Sequence, residues 1–367
     1  MKIVKRIVKG ILLFLAALVV CVGGLLTYLT ATEYKPADVE PLKIMGAADD
    51  TYSLGDQLTI MTWNIGYGAL GDNADFFMDG GEMVKSADED RVMENMEGIM
   101  SNIEAVKPDI LFIQEADRDS ARSYNINEVK MLRDRFKGYE STYGINYKTP
   151  FVPYPVPPLG KIDAGIMTFT GSHAEATERV QLPIPFKWPV RAVNLKRCVT
   201  ETHVPLYDPA GSRDEGQKRC DKELVLFNLH LEAYDSGAGK IAQTKMLMEL
   251  MKEEREAGNY VIVGGDFNQS FSAEDRAAYP AQPDKWQPGE LDVAQFGEGW
   301  QFLTDATVPT CRSLDQPYEG ADKDSFQFYM IDGFIVSDNI QVEELKTLDL
   351  DFANSDHNPV VLKFKIN

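Results

Sequence analysis

Five short segments of this chain each close a hydrophobic run with a carboxylate, an amide or an imidazole, and that punctuation limits what the chain can fold into. They are Thr62-Trp63-Asn64-Ile65, Ile113-Gln114-Glu115, Asn228-Leu229-His230-Leu231, Gly264-Gly265-Asp266-Phe267-Asn268 and Ser355-Asp356-His357-Asn358-Pro359. Strands buried on both faces read as unbroken apolar runs, as Ile110-Leu111-Phe112-Ile113 and Tyr260-Val261-Ile262-Val263 do. A polar residue ending such a run sits at the rim of a sheet, where a rigid scaffold can hold several such groups in one cleft. Between these runs, Val92, Met93, Met96, Ile99, Met100 and Ile103 recur at helical spacing and predict a helix over 88–105. Ile241, Met246, Leu247, Leu250 and Met251 predict another over 238–257. Strand–helix–strand, hairpins, strand–helix–strand and a last hairpin imply an α/β chain with a two-layered sheet and outer helices.

The N-terminus has a different character. Lys2, Lys5, Arg6 and Lys9 precede an uncharged run over 10–30. At ~1.5 Å per residue such a run spans a bilayer core. The basic flank predicts a single-pass anchor in the cell membrane, its N-terminus cytoplasmic and the rest of the chain outside. A cleaved signal sequence and a lipid anchor at Cys21 are the alternatives. Residues 31–57, with Pro36, Pro41 and Gly46, read as a tether that lifts the domain off the membrane. The division is therefore 1–30 basic flank and anchor, 31–57 linker, and 58–367 folded domain.

The 367 residues carry a formal net charge of -20. A nucleic-acid coat needs clustered Lys and Arg, so the surface as a whole does not resemble one, although a cleft can still hold phosphate through a metal. Cys198 and Cys220 flank Tyr207-Asp208-Pro209-Ala210-Gly211-Ser212, which reads as a turn. A hairpin turning there would set the two opposite each other, and an exported domain permits the disulfide. The alternative is two free thiols. Cys311 has no evident partner, and no CxxC or His-Cys spacing suggests a zinc site.

Collectively the strand-end groups offer oxygen ligands for a hard cation, a base for water, and donors for phosphoryl oxygens. Asp266 and Asn268, two apart in a near-extended segment, can point the same way; a helix-capping loop explains them as well. His357 can exchange a proton near neutrality, and Asp332, ending another strand, could hold its second nitrogen. Asn228 and His230 alternate with Leu229 and face one side. Each of these alone has a bland structural explanation. His173 and His203 lie in polar stretches and read as surface residues.

Taken in order, Trp-Asn, Gln-Glu, Asn-x-His-Leu, Gly-Asp-x-Asn, Ile-Asp and Ser-Asp-His-x-Pro resemble the endonuclease/exonuclease/phosphatase superfamily over about 58–367. The resemblance implies a four-layered α/β sandwich, two packed mixed sheets flanked by helices. It also implies a magnesium-dependent phosphoesterase, with manganese or calcium as alternative cations. Carried over motif by motif, Asn64, Glu115 and Asp356 hold the metal. Asp266 orients or deprotonates the attacking water, and Asn268 stabilises the phosphoryl oxygens. His357, paired with Asp332, assists at the transition state, and His230 contacts the phosphate or protonates the leaving oxygen, with Asn228 beside it on the phosphate side. The motifs are nearly silent on substrate. A phosphodiesterase or nuclease acting outside the cytoplasm is the first expectation, and a sphingomyelinase-like phospholipid phosphodiesterase or a phosphatase is the alternative. A catalytically silent, membrane-tethered binding domain is disfavoured, because every motif keeps its chemical residue. The partners expected are a nucleic-acid or phospholipid phosphoester and the membrane, with no protein partner.

The chain departs from the family pattern in four places. Residues 67–89 form a long glycine- and acid-rich segment. Asp163-Ala164-Gly165-Ile166-Met167-Thr168-Phe169-Thr170 lacks the Ser many members carry there. Pro183-Ile184-Pro185-Phe186-Lys187-Trp188-Pro189 and Phe151-Val152-Pro153-Tyr154-Pro155-Val156-Pro157-Pro158 are apolar, aromatic loops that either pack on the domain or dip into a lipid interface.

Overall fold

The computed structural model describes residues 1–85, 88–209, 218–235 and 237–367. Eleven longer strands carry the architecture: β1 (Gln57–Asn64), β2 (Ile110–Asp117), β3 (Glu140–Val152), β4 (Gly160–Thr170), β5 (Ala176–Gln181), β6 (Cys198–Tyr207), β7 (Arg219–His230), β8 (Tyr260–Asp266), β9 (Asp332–Ser337), β10 (Ile340–Thr347) and β11 (Val360–Ile366). One mixed sheet runs β10-β11-β1-β2-β4-β3, with Met45–Gly46 on its edge. The other runs β5-β6-β7-β8-β9 between edge strands Val39–Pro41 and Trp300–Leu303.

The sheets pack face to face through Ile60, Phe112, Leu226, Ile262, Phe334 and Phe364, all fully buried. Their neighbours along each strand point the other way. Met61, Leu111 and Ile113 meet Val92, Met96, Ile99 and Ile103 of helix α2 (Glu89–Val106). Val225, Phe227 and Val261 meet Leu247 and Met251 of α4 (Ala238–Glu256). Helix α3 (Glu128–Arg135) lies on the α2 side through Val129 and Leu132. The order helix, sheet, sheet, helix is the expected four-layered sandwich. Asp88 caps α2 by accepting from the Arg91 amide at 2.8 Å, and Lys107 ends it at φ 52°.

Segment 31–57 is not a free tether. Val39–Pro41 pairs with β5, Met45–Gly46 with β3, and Tyr52–Ser53 with β6. Sheet edges present unpaired amides and carbonyls, and this segment covers them on both sheets. Ahead of it, α1 (Lys2–Ala31) is exposed over residues 1–24, while Leu29 in its last turn is buried. Its best window reaches a mean hydropathy of 2.6, long and apolar enough to cross a membrane and equally consistent with a signal sequence.

The expected disulfide is absent, and all four cysteines are free. Cys198 begins β6, next to the Val199–Leu229 pair, whereas Cys220 follows the Tyr207–Arg219 pair at the other end of the hairpin. The two lie a strand's length apart, roughly 30 Å at ~3.3 Å per residue, far beyond the ~7 Å limit between Cα atoms. Tyr207 pairs with Arg219, a register not centred on Pro209. Residues 210–212 of the expected turn lie outside the described residues. A 3-10 turn, Val190–Val193, precedes β6.

Candidate active site

Strand register brings the predicted residues together. β7 and β8 run parallel with His230 opposite Asp266, and β8 and β9 run antiparallel with Asp266 opposite Asp332. His230, Asp266 and Asp332 therefore form one row across three strands at one end of the sheet. In the facing sheet, Asn64 lies opposite Gln114 where the parallel pair β1–β2 ends. Ser355-Asp356-His357 leads into β11, whose first residue, Val360, pairs with Thr62. All five motifs thus meet at the same rim of the sandwich.

Two backbone features aim the side chains. Gly265 has φ 143°, and a Cβ there would lie 2.0 Å from the Leu229 carbonyl oxygen. Only glycine permits the close approach that keeps Asp266 level with His230. Glu115 holds φ 56° and Asn268 φ 51°; non-glycine residues in this region concentrate at functional sites, where surrounding structure enforces them.

Asn64 is the hub. Its Nδ2 lies 3.1 Å from Asp266 Oδ2 and 3.4 Å from both Glu115 Oε1 and His357 Nε2, while its Oδ1 accepts from the Gly66 amide. His230 Nε2 lies 3.4 Å from Asp266 Oδ2, and its Nδ1 lies 3.8 Å from Glu115 Oε1. His357 Nδ1 faces Asp332 Oδ2 at 2.9 Å, and its Nε2 lies 3.8 Å from Asp266. The Asp266 Oδ1 accepts from the Asn268 backbone amide at 2.9 Å. Asn268 gives one side-chain N–H to the Leu231 carbonyl, leaving the second for a ligand.

The two imidazoles are driven apart electrically. Burial, reinforced by the cations of Arg197, His357 and Arg122, holds His230 well below the usual histidine range. Burial opposes the charge on His357 too, but Asp332 and Asp356 outweigh it and carry His357 well above that range. Burial, then the neighbouring Asp332, raises the Asp266 carboxyl above the ordinary carboxylate range. Burial, then Glu115, raises Asp356 to about 6 against the pull of His357. Such crowding of carboxylates, Glu115 and Asp356 among them, suits a hard divalent cation, while Asn64 turns its side-chain N–H groups toward Asp266 and Glu115. Asp332 also keeps one buried oxygen, Oδ1, without a partner.

Asn228 is the exception. It is fully buried and, like Asp332, does not line the cavity. Its Oδ1 accepts from Gln114 Nε2 at 2.8 Å, and its Nδ2 donates to the Met167 carbonyl at 2.7 Å. With both ends of the amide engaged, it braces the two sheets behind the site instead of reaching a phosphate. In the segment lacking the family's Ser, Ala164 and Gly165 border the cavity and bring no polar side chain to it. His173 is exposed, but His203 is clamped between Glu201 and Glu223 at 3.2 and 2.9 Å and is not a free surface group.

His230 and Asp266 open into a cavity of about 610 Å³. Several of its polar groups lie outside the motifs: Tyr234 donates to Asp79 at 3.0 Å, and Arg122 pairs with Asp117 at 2.9 Å while stacking on Tyr67. Lone residues in loops, they carry no local spacing that would mark them in the sequence.

A two-sheet sandwich with this strand-end cluster defines a class of phosphoester hydrolases. The Endonuclease/Exonuclease/phosphatase family model matches residues 61–317, and the chain belongs to that family. The family's members hydrolyse phosphoester bonds and generally use divalent metals. No curated protein matches the chain. Among solved structures, an endonuclease/exonuclease/phosphatase from Beutenbergia cavernae is 16% identical, with TM-score 0.54 over 85% of this chain and 72% of that one. A family protein from Bacteroides thetaiotaomicron is 17% identical, with TM-score 0.51 over 85% and 99%. The human Nocturnin catalytic domain, solved with a bound sulfate, is 16% identical, with TM-score 0.50 over 89% and 97%. At these identities the likeness concerns the fold.

Proposed function

We propose that the chain is a divalent-cation-dependent phosphodiesterase held at the cell membrane by α1, with 31–57 and the folded domain outside the cytoplasm. The observation that carries the chemistry is that His230, Asp266, Asn64, Glu115, Asp356 and His357 line one cavity, with Asp332 behind Asp266 and His357. Glu115, Asn64 and Asp356 would hold the cation, magnesium being the first choice and manganese or calcium alternatives; bound there, it neutralises phosphoryl charge and polarises the phosphate.

The remaining steps belong to the protein. Asp266 orients a water and takes its proton, its affinity for that proton raised by burial. The charged His357, fixed by Asp332, sits where negative charge builds on the phosphoryl oxygens. Neutral His230 keeps a single N–H, which suits contact with the phosphate better than supplying the leaving-group proton. The free N–H of Asn268 adds a second donor. The water oxygen bonds to phosphorus, one P–O ester bond breaks, and the proton taken by Asp266 ends on the leaving oxygen, giving an alcohol and a phosphomonoester.

The test is hydrolysis of bis(p-nitrophenyl) phosphate by the purified protein. Activity should vanish with EDTA and return with magnesium. Asp266→Asn, Glu115→Gln and His357→Ala should each lose ~10²-fold or more while their circular dichroism stays native. An active Asp266→Asn protein would sink the assignment.

A further inference from the structure

Away from the catalytic row, the cavity changes character. Its lining continues through Phe77, Val152, Tyr154, Phe186 and Val190. Phe77 meets Tyr154 edge-on at 5.7 Å, which makes this wall aromatic as well as aliphatic. The cavity thus has an aromatic and aliphatic wall in addition to its polar and charged groups.

The apolar wall does not close on itself. Tyr154 is 68% exposed, Val156 93%, Trp188 54% and Val190 52%. These residues come from the two apolar loops, and two of them, Tyr154 and Val190, also line the cavity. Its mouth therefore carries an exposed apolar lip, which costs solvation in water and suits a partner that is itself apolar.

What lies beside the lip is also visible. Trp188 donates its indole N–H to the Thr30 hydroxyl at 3.0 Å, at the last turn of α1. Arg191 and Lys196 grip Glu33 at 2.9 and 3.5 Å. The loop that forms the lip is thus the loop on which α1 is seated, and the paired edge strands that follow leave little slack. Thr30 ends the uncharged run of α1, the level at which a bilayer gives way to headgroups and where Trp and Tyr settle. A membrane around α1 would bring its headgroup layer to Trp188, Val190 and Tyr154.

We propose that the substrate is a membrane phospholipid taken from the leaflet at which α1 ends, its phosphodiester at the catalytic row and a hydrocarbon chain along the wall from Phe77 to Val190. This rests on the phosphodiesterase reading above and narrows it to one substrate class. A polynucleotide would instead need a basic track and stacking platforms beside the cleft, and the chain's net charge of -20 argues the other way. Hydrolysis follows the balance already given: water adds to phosphorus, one ester bond of the lipid phosphate breaks, and the alcohol leaves with the proton.

The test reconstitutes the full chain with magnesium into vesicles of phosphatidylethanolamine, phosphatidylglycerol and phosphatidylcholine. Lipid products are followed by mass spectrometry, with bis(p-nitrophenyl) phosphate and a single-stranded oligonucleotide as parallel substrates. Vesicle phospholipid should be consumed. Val156→Asp/Val190→Asp should lower the ratio of lipid to soluble-diester hydrolysis at least tenfold. Brominated acyl chains should quench tryptophan emission, and Trp188→Phe should remove most of that quenching. Cleavage of the soluble diester with intact phospholipid, an unchanged ratio in the double variant, or preference for the oligonucleotide would overturn the proposal and leave the phosphodiesterase reading standing. Silence on every substrate would overturn both.

Discussion

The site depends on residues that never touch a substrate. Asn228 ties Gln114 of one sheet to the Met167 carbonyl of the same sheet's neighbouring strand from across the interface. Removing its amide leaves buried donors and acceptors unmatched, at about 1–3 kcal/mol each. Asn228→Ala should therefore lower the urea midpoint by the equivalent of roughly 2–4 kcal/mol; a loss of turnover with unchanged stability would instead restore a direct phosphate contact. Gly265→Ala should do harm in a different way, since its Cβ would strike the Leu229 carbonyl. The backbone must shift, separating His230 from Asp266, so activity and stability should fall together; a variant with native values for both would remove the steric argument. At this scale the sequence was informative where a polar residue ends an apolar run, as Asn64, Glu115, His230 and Asp266 do. It was blind to side-chain direction, which hides Asn228 and exposes nothing of Tyr234 or Asp79 in advance. The cysteines failed for a related reason: equal spacing about a turn says nothing until strand register is known, and here register puts Cys198 and Cys220 at opposite ends of a hairpin.

Elements were legible in proportion to their length and periodicity. α2 and α4 are legible to within a residue or two because most of their apolar positions repeat on a buried face, although Met93 and Ile241 are exposed. α3 has only eight residues and a mostly charged sequence, EVKMLRDR, which offers two buried apolar anchors. Segment 31–57 misled because its strands are two or three residues long, and their edge pairing depends on sheets assembled much later in the chain. The β6–β7 hairpin carries a testable charge device of its own. His203 is pushed up to about 9, chiefly by its hydrogen bond to Glu201, against burial and with help from Glu223. A histidine whose proton is held more tightly in the folded state stabilises fully below its unfolded value near 6.5. That contribution fades as pH rises through about 9. Thermal stability should therefore decline between these limits by the equivalent of about 2 kcal/mol, and His203→Gln should make the profile shallower, with His357 still contributing. A wild-type profile already flat from pH 6.5 to 9 would contradict the clamp.

At the scale of the whole molecule, the question is which side of a membrane the cleft faces. Lys2, Lys5, Arg6 and Lys9 crowd one end of α1, and the uncharged run over 10–30 measures ~31 Å at ~1.5 Å per residue, enough for a bilayer core of ~30 Å. Positive charge resists transfer across the membrane, so this end should remain inside and the folded domain should lie outside. Beyond the other end of α1 only Lys35 and Lys43 follow before residue 46, fewer than the four cations of the N-terminal flank. An alkaline phosphatase fused after Asn367 should be active in intact cells, and green fluorescent protein at the same place should stay dark. Reversing the charges at Lys2, Lys5, Arg6 and Lys9 to Glu should weaken or invert this pattern. Full-length protein in the membrane fraction, still carrying an N-terminal epitope, would show that α1 is retained, whereas loss of the epitope with release of the domain would identify a cleaved signal. Activity of the cytoplasmic reporter alone would reverse the topology and move the lipid-facing lip to the inner leaflet. The seating of Trp188 on Thr30 would survive that result, since it depends on the contact between α1 and the loop and not on which compartment the domain occupies.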